Sequence, residues 1–149
     1  MSPYSLTAES GSGNGVTNAR GLAGLYAPLA EGGAGLVSTE RMHRMRRPVA
    51  CTHEDATLRQ PMRFGLGYMN STDNRGGGGD SVVMGEFGFG HVGMGGSLGF
   101  ADPEAGISFG YSMNRMGAGI LLNARGQSLV DAVYESLGYA SNASGAWRR

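Results

Sequence analysis

The sequence predicts an α+β fold, an antiparallel sheet flanked by helices. Three observations carry that expectation. Between Phe87 and Met116 the residues Phe87, Phe89, Leu98, Phe100, Ile107, Phe109 and Tyr111 alternate with small or polar ones, which is the period of strands that bury one face. Asp102-Pro103-Glu104-Ala105-Gly106 lies between two of these runs. Its Pro fixes φ early in a turn and its Gly can take positive φ late in it, so the runs pair as a hairpin. Before and after this block the apolar spacing becomes helical, which segregates the helices from a meander of strands.

Taken in order, residues 1–15 are polar with Gly and Ser and read as a flexible lead. A body spans 16–140, and 141–149 (SNASGAWRR) reads as a loose tail. Thr17 or Asn18 can cap a helix running to about Glu31, with Leu22, Leu25, Tyr26 and Leu29 on one face. Pro28 should kink or end its regular part, and Gly32-Gly33 stops it. Arg20, in its first turn, reads more simply as solvated or locally paired than as catalytic. Ser38-Thr39 starts a second, short helix that ends before Pro48. Arg41, Arg44, Arg46 and Arg47 crowd that helix. They read more simply as a solvated face than as an anion patch. Arg63 to Asn70 is a strand, Ser71 to Ser81 a flexible hairpin tip, and Val82 to Glu86 leads into the central block. Gly117 to Ala124 is a Gly-rich connection. Gly126 to Gly138 is the last helix, with Leu129, Val130, Val133 and Leu137 as its inner face.

Composition removes several functions. The chain has 149 residues, and its 12 basic side chains, all Arg with no Lys, balance 12 acids. No basic stripe is available to hold phosphates, so nucleic acid is not the partner. The 28 Gly cluster at 76–79 and 85–99, which favours loops and hairpins over helix bundles. The single cysteine, Cys51, excludes an intrachain disulfide. No apolar run is long enough to span a membrane, and the N-terminus lacks the charged and apolar regions of a leader, so a cytoplasmic location is expected. The sequons Asn70-Ser71-Thr72 and Asn142-Ala143-Ser144 carry no weight without a secretion signal. Cys51-Thr52-His53-Glu54-Asp55 holds ligand-type side chains without the repeated spacing of a metal site, so no metal and no cofactor are expected.

Two short motifs fail on context. Gly88-Phe89-Gly90-His91-Val92-Gly93 fits G-x-G-x-x-G, but glycine and a strand follow where a phosphate-binding helix should start. Gly95-Gly96-Ser97-Leu98-Gly99 fits the G-x-S-x-G elbow, but that elbow also opens a helix and its His follows the Ser. Here His43, His53 and His91 all precede Ser97. What remains is His91 at the edge of a glycine-rich groove, where glycines mark a close approach of ligand or backbone and His can carry a proton near neutrality. The plainer alternative is a glycine-rich hairpin with a surface His.

The block FGHVGMGGSLGFADPEAGISFGYSMNRM resembles the third active-site motif and following hairpin of the serine β-lactamase-like hydrolases. These include class C β-lactamases, D-alanyl-D-alanine carboxypeptidases and related esterases. In the esterase-like branch His-x-Gly often replaces Lys-Thr-Gly, and His91-Val92-Gly93 stands in that place. The resemblance extends upstream through GVTNARGLAGLYAPLAEGG and downstream into the last helix. It covers only the C-terminal part of the family's domain.

The resemblance implies a partial β-lactamase/transpeptidase-like fold. Residues 16–50 would come from its helical region, 62–116 from its sheet, and 126–138 would be its C-terminal helix. It implies acyl-enzyme chemistry on an ester, lactam or peptide, by a Ser whose proton goes to the Lys of Ser-x-x-Lys. His91 would be the third-motif polar residue, the Met94 N–H an oxyanion donor, and Gly93 the point where substrate meets the strand. The nucleophile is absent, because a chain with no Lys has no Ser-x-x-Lys. Tyr4-Ser5-Leu6 departs from the family's Tyr-x-Asn, so Tyr4 is a bystander. Three functions stay open: a portion of such a hydrolase; a non-catalytic relic that self-associates, or pairs with another chain, through an open sheet edge; and an unrelated hairpin binding module.

Overall fold

A computed structural model of the chain describes Thr7, residues 11–13 and residues 15–149. The expected lead, residues 1–15, lies largely outside the described residues. Six strands form one antiparallel meander in chain order: β1 Ala50–Thr52, β2 Met62–Phe64, β3 Met69–Asn70, β4 Phe89–Val92, β5 Leu98–Asp102 and β6 Ile107–Tyr111. Helices α1 (Ala19–Ala30) and α2 (Thr39–Arg46) precede the sheet and α3 (Ala124–Ser136) follows it. This is the antiparallel sheet with flanking helices that the periodicity predicts. Among the described residues no helix is long and apolar enough to cross a membrane.

Register explains why the sheet is buried on both faces. Phe89 pairs with Ala101, and Gly90 pairs with Phe100. Side chains of paired residues share a face, and successive residues alternate. Phe89 and Ala101 therefore meet Tyr26 and Leu29 of α1 and Met42 of α2. Val92, Leu98, Phe100 and Ile107 point the other way, into a larger core with Leu121, Val130, Tyr134 and Trp147.

Asn18 caps α1, its Oδ1 accepting the Gly21 N–H at 2.9 Å. Pro28 falls in the last turn, so the helix runs on to Ala30 instead of breaking. Leu25, expected on the inner face, is 63 % exposed. The reason is glycine: a Cβ at Gly110 would lie 2.2 Å from the Ala19 carbonyl oxygen, and one at Gly99 2.5 Å from the Tyr26 ring. The α1 backbone rests directly on β5 and β6, so only a narrow stripe of the helix is covered.

Three expectations change. The predicted strand 63–70 is a tight hairpin, β2 and β3, because Gly67 takes positive φ (81°) and the Gly65 N–H bonds Tyr68 O at 2.8 Å. Val82 to Met84, which lead into the central block, are fully buried; Val82 makes one bridge, to Thr72, and Val83 and Met84 make none. The loop 71–81 is flexible by composition, yet its ends are pinned: Ser71, Thr72 and Asn74 are buried, and Asn74 Nδ2 donates to Pro61 O and Asp80 O. The tail 141–149 is not loose. Trp147 is buried and stacks on Tyr134 at 5.9 Å, its N–H bonds Met84 O, and its Nε1 donates to Asp131 Oδ1 at 3.0 Å.

Candidate active site

β4 pairs with β5 along its whole length, from Phe89↔Ala101 to Val92↔Leu98. It pairs with β3 only at Phe89 and Gly90. Among the described residues, one edge of β4 has no strand beside it from His91 onward. An unpaired edge can take an extended ligand by main-chain hydrogen bonds.

His91 is exposed on that stretch. Its Nδ1 lies 2.7 Å from the Val92 carbonyl oxygen. A carbonyl only accepts, so Nδ1 carries the proton of the neutral ring and Nε2 is left as an acceptor. The ring also tilts against Phe64 at 6.4 Å. On the α1 side, the Tyr26 ring lies against the sheet at Gly99, the residue paired with His91.

Tyr26 is no base at neutral pH. Burial pushes its hydroxyl up to about 12, with Tyr68 adding and the His91 backbone partly offsetting. Burial and the Asp102 charge also push Tyr134 up. The folded state thus holds these protons more tightly than the unfolded chain, where tyrosine loses its proton near pH ~10. Their contribution to stability is complete below that pH and is lost as pH rises toward about 12. The urea midpoint is expected to be flat from pH ~7 to ~9 and to fall above ~10, Tyr26 alone contributing on the order of 2–3 kcal/mol. Tyr26→Phe should remove part of that fall; a variant with an unchanged alkaline slope would refute the assignment.

Beyond β4 the chain turns at once. The Gly96 N–H bonds Gly93 O at 3.0 Å, and Gly95, at the third position, has φ 86°. This is a type II turn with Met94 at its second position. The Met94 side chain is 69 % exposed. Among the described residues its N–H has no hydrogen-bond acceptor. At Gly93 a Cβ would lie 2.3 Å from Ser97 Oγ, so the Ser97 hydroxyl covers one side of the strand where it leaves the sheet.

The turn is tied down from behind. Gly95 O accepts from the Gly117 N–H at 2.8 Å and from Asn123 Nδ2 at 2.9 Å. Asn123 also caps α3, its Oδ1 accepting the Gly126 N–H at 3.3 Å. Sequence reasoning missed Asn123 and Tyr26. For Asn123 the signal was present, an Asn directly before a helical run; Tyr26 registered only as a core residue.

The other candidates lie apart from this edge. Asp55 Oδ1 accepts the N–H groups of Thr57 and Leu58, and Glu54 pairs with Arg59. Local turns therefore use the carboxylates of the Cys51–Asp55 cluster. Arg20 is exposed on α1.

A family profile described as "Beta-lactamase" matches residues 1–133. The chain belongs to the β-lactamase family. It is 37% identical over 117 residues to "Esterase/beta-lactamase LipL" of Mycobacterium tuberculosis (strain ATCC 25618 / H37Rv), a match covering 74% of this chain and 25% of that protein. Among solved structures it is similar to a family VIII carboxylesterase, with a TM-score of 0.65 and 34% identity over 79% of this chain and 31% of that one. A penicillin-binding protein homolog from Caulobacter crescentus gives a TM-score of 0.67 and 31% identity, with the same coverage. EstA from Arthrobacter nitroguajacolicus Rue61a gives 0.66 and 26%. The β-lactamase/transpeptidase-like fold expected from His91-Val92-Gly93 and its flanks is thus the fold of this β-lactamase-family chain. The chain spans a quarter of the LipL length and about a third of each solved relative.

Proposed function

We propose that this β-lactamase-family chain is the C-terminal wall of a serine hydrolase acting on carboxylic esters through an acyl-enzyme. The single observation that supports this reading best is the β4 edge. There an unpaired strand, an accepting His91 Nε2 and the unbonded Met94 N–H converge, with Asn123 holding the turn. A substrate carbonyl lying along that edge would receive the Met94 N–H as its oxygen gains charge during attack by serine. His91 would offer a polar contact or relay a proton near the leaving group. Lactams and peptides present the same carbonyl. Ester is preferred because His stands where Lys occurs in lactam-directed relatives, and because two of the similar proteins are called esterases.

The nucleophile must come from elsewhere. With no Lys in 149 residues, no Ser-x-x-Lys pair is available here. The isolated chain is therefore expected to show no burst of product with p-nitrophenyl acetate and no acyl adduct by intact mass. A stoichiometric burst would overturn the assignment of the nucleophile to another segment. A second reading, association without catalysis, is favoured by β6, which among the described residues pairs with β5 on one side only. It predicts dimers in sedimentation velocity at tens of micromolar; a chain monomeric throughout that range would remove it.

A further inference from the structure

The turn that follows β4 carries two thioethers, one by sequence and one by packing. Met94 is its second residue and is 69 % exposed; Met116, from the loop after β6, is 61 % exposed. The other described methionines are covered. Met42, Met62, Met69 and Met84 are buried, and Met45 and Met113 are half-buried. A single exposed apolar side chain is ordinary; two open thioethers on one turn are a local chemical feature.

The packing fixes where the Met116 sulfur lies. A Cβ on Gly95 would lie 2.9 Å from Met116 Cβ, 3.0 Å from its Cγ and 2.9 Å from its Cε. Cγ and Cε are the two carbons bonded to Sδ, so the thioether is folded over Gly95. Gly95 is buried, while Met116 itself stays open to water. Next in the chain, Gly117 donates its N–H to Gly95 O at 2.8 Å. Met116 and Gly117 therefore hold the turn from outside, by an apolar contact and a hydrogen bond. Asn123 Nδ2 holds the same carbonyl from behind at 2.9 Å.

We propose that Met116 and Met94 form an oxidative modification site that takes oxygen from a hydroperoxide, hydrogen peroxide being the simplest. The thioether sulfur attacks one peroxide oxygen. The O–O bond breaks, an S–O bond forms, sulfur gives up two electrons, and the second oxygen leaves as water. The product is methionine sulfoxide, a polar group where an apolar one stood. At Met116 the sulfoxide favours water over the contact with Gly95, so the turn loses its outer cover. At Met94 it modifies a side chain that already stands in water, and the turn keeps its cover. Any effect on ester hydrolysis rests on the Met94 N–H as oxyanion donor. The oxidation and the loosening of the turn do not.

The test treats the 149-residue chain with hydrogen peroxide, maps the added oxygen by proteolysis and mass spectrometry, and follows exchange of the Gly117 amide by NMR. Met94 and Met116 are expected to react at least about tenfold faster than Met42, Met62, Met69 and Met84, since access governs this chemistry. Gly117 exchange should rise several-fold in the oxidised chain and return after treatment with methionine sulfoxide reductases. Met116→Leu keeps an apolar cover without sulfur. Its Gly117 exchange should ignore peroxide although Met94 is still oxidised, whereas Met94→Leu should respond as the unaltered chain does. Buried methionines reacting as fast as Met116, a Gly117 amide indifferent to Met116 oxidation, or an undiminished response in Met116→Leu would each overturn the proposal.

Discussion

Asp102→Ala is expected to destabilise the chain by ~3–5 kcal/mol, the scale for breaking a buried charged network. Asp102 is 1 % exposed at the end of β5. Its Oδ2 accepts the Tyr134 hydroxyl at 2.7 Å, and its Oδ1 accepts the N–H groups of Glu104 and Ala105 at 3.1 and 3.2 Å. One carboxylate thus closes the β5–β6 hairpin and anchors α3 to the sheet. A Cβ at Gly85 would lie 2.0 Å from Asp102 Oδ2, so the network admits no side chain there. Alanine would leave the buried Tyr134 hydroxyl unpaired, take the acceptor from two turn N–H groups and open a void beside the Tyr134 hydroxyl. Asp102→Asn keeps one acceptor and should lose roughly half as much, and Tyr134→Phe about 1–3 kcal/mol. Urea unfolding of the three variants tests this. An Asp102→Ala midpoint close to wild type, at unchanged slope, would mean that water already satisfies the partners.

That network was invisible in the sequence, and the reason is physical. Asp102 was legible as a turn residue, because Asp before Pro starts hairpins. Its burial was not, because it depends on Tyr134 arriving from 32 residues further on. The same tyrosine explains the misread face of α3. Counting aliphatic residues alone selects Leu129, Val130, Val133 and Leu137. The sheet instead receives Gly126, Val130 and Tyr134, and leaves Leu129 and Leu137 largely outside. Tyr134 brings the larger surface and a hydroxyl that must find a partner, so it sets the rotation of the helix. Trp147 was lost in a tail of small polar residues, although a lone indole there has little to gain from water. The strand block was easier to read. Period two, a Pro-Gly turn and clustered glycines are local signals, and β4, β5 and β6 fall where those signals lie. The candidate site divides the same way. His91, Gly93 and Met94 came from a contiguous motif, whereas Tyr26 and Asn123 reach it through packing.

Met94→Pro is expected to lower kcat/KM for an ester by about 10²–10³-fold in the hydrolase completed by a nucleophile-bearing portion, the usual loss for one oxyanion donor at ~2.7–4 kcal/mol. The substitution is selective because of the turn. Met94 occupies the second position of a type II turn, where Pro is favoured and its fixed φ already fits. Neither hydrogen bond of the turn uses the Met94 N–H: Gly93 donates to Ser97 O, and Gly96 donates to Gly93 O. Proline should therefore remove the donor and leave the backbone in place, with urea stability of this chain unchanged or slightly raised. Met94→Ala supplies the contrast. It deletes an exposed side chain and keeps the N–H, so its kcat/KM should stay within a few-fold of wild type. The loss in the proline variant should fall mainly on kcat, since the donor acts on charge that develops after binding. If alanine lowers the rate as far as proline, the thioether and not the backbone carries the effect. If proline changes nothing while the turn remains folded, the oxyanion lies elsewhere, and the β4 edge holds substrate without taking part in the chemistry.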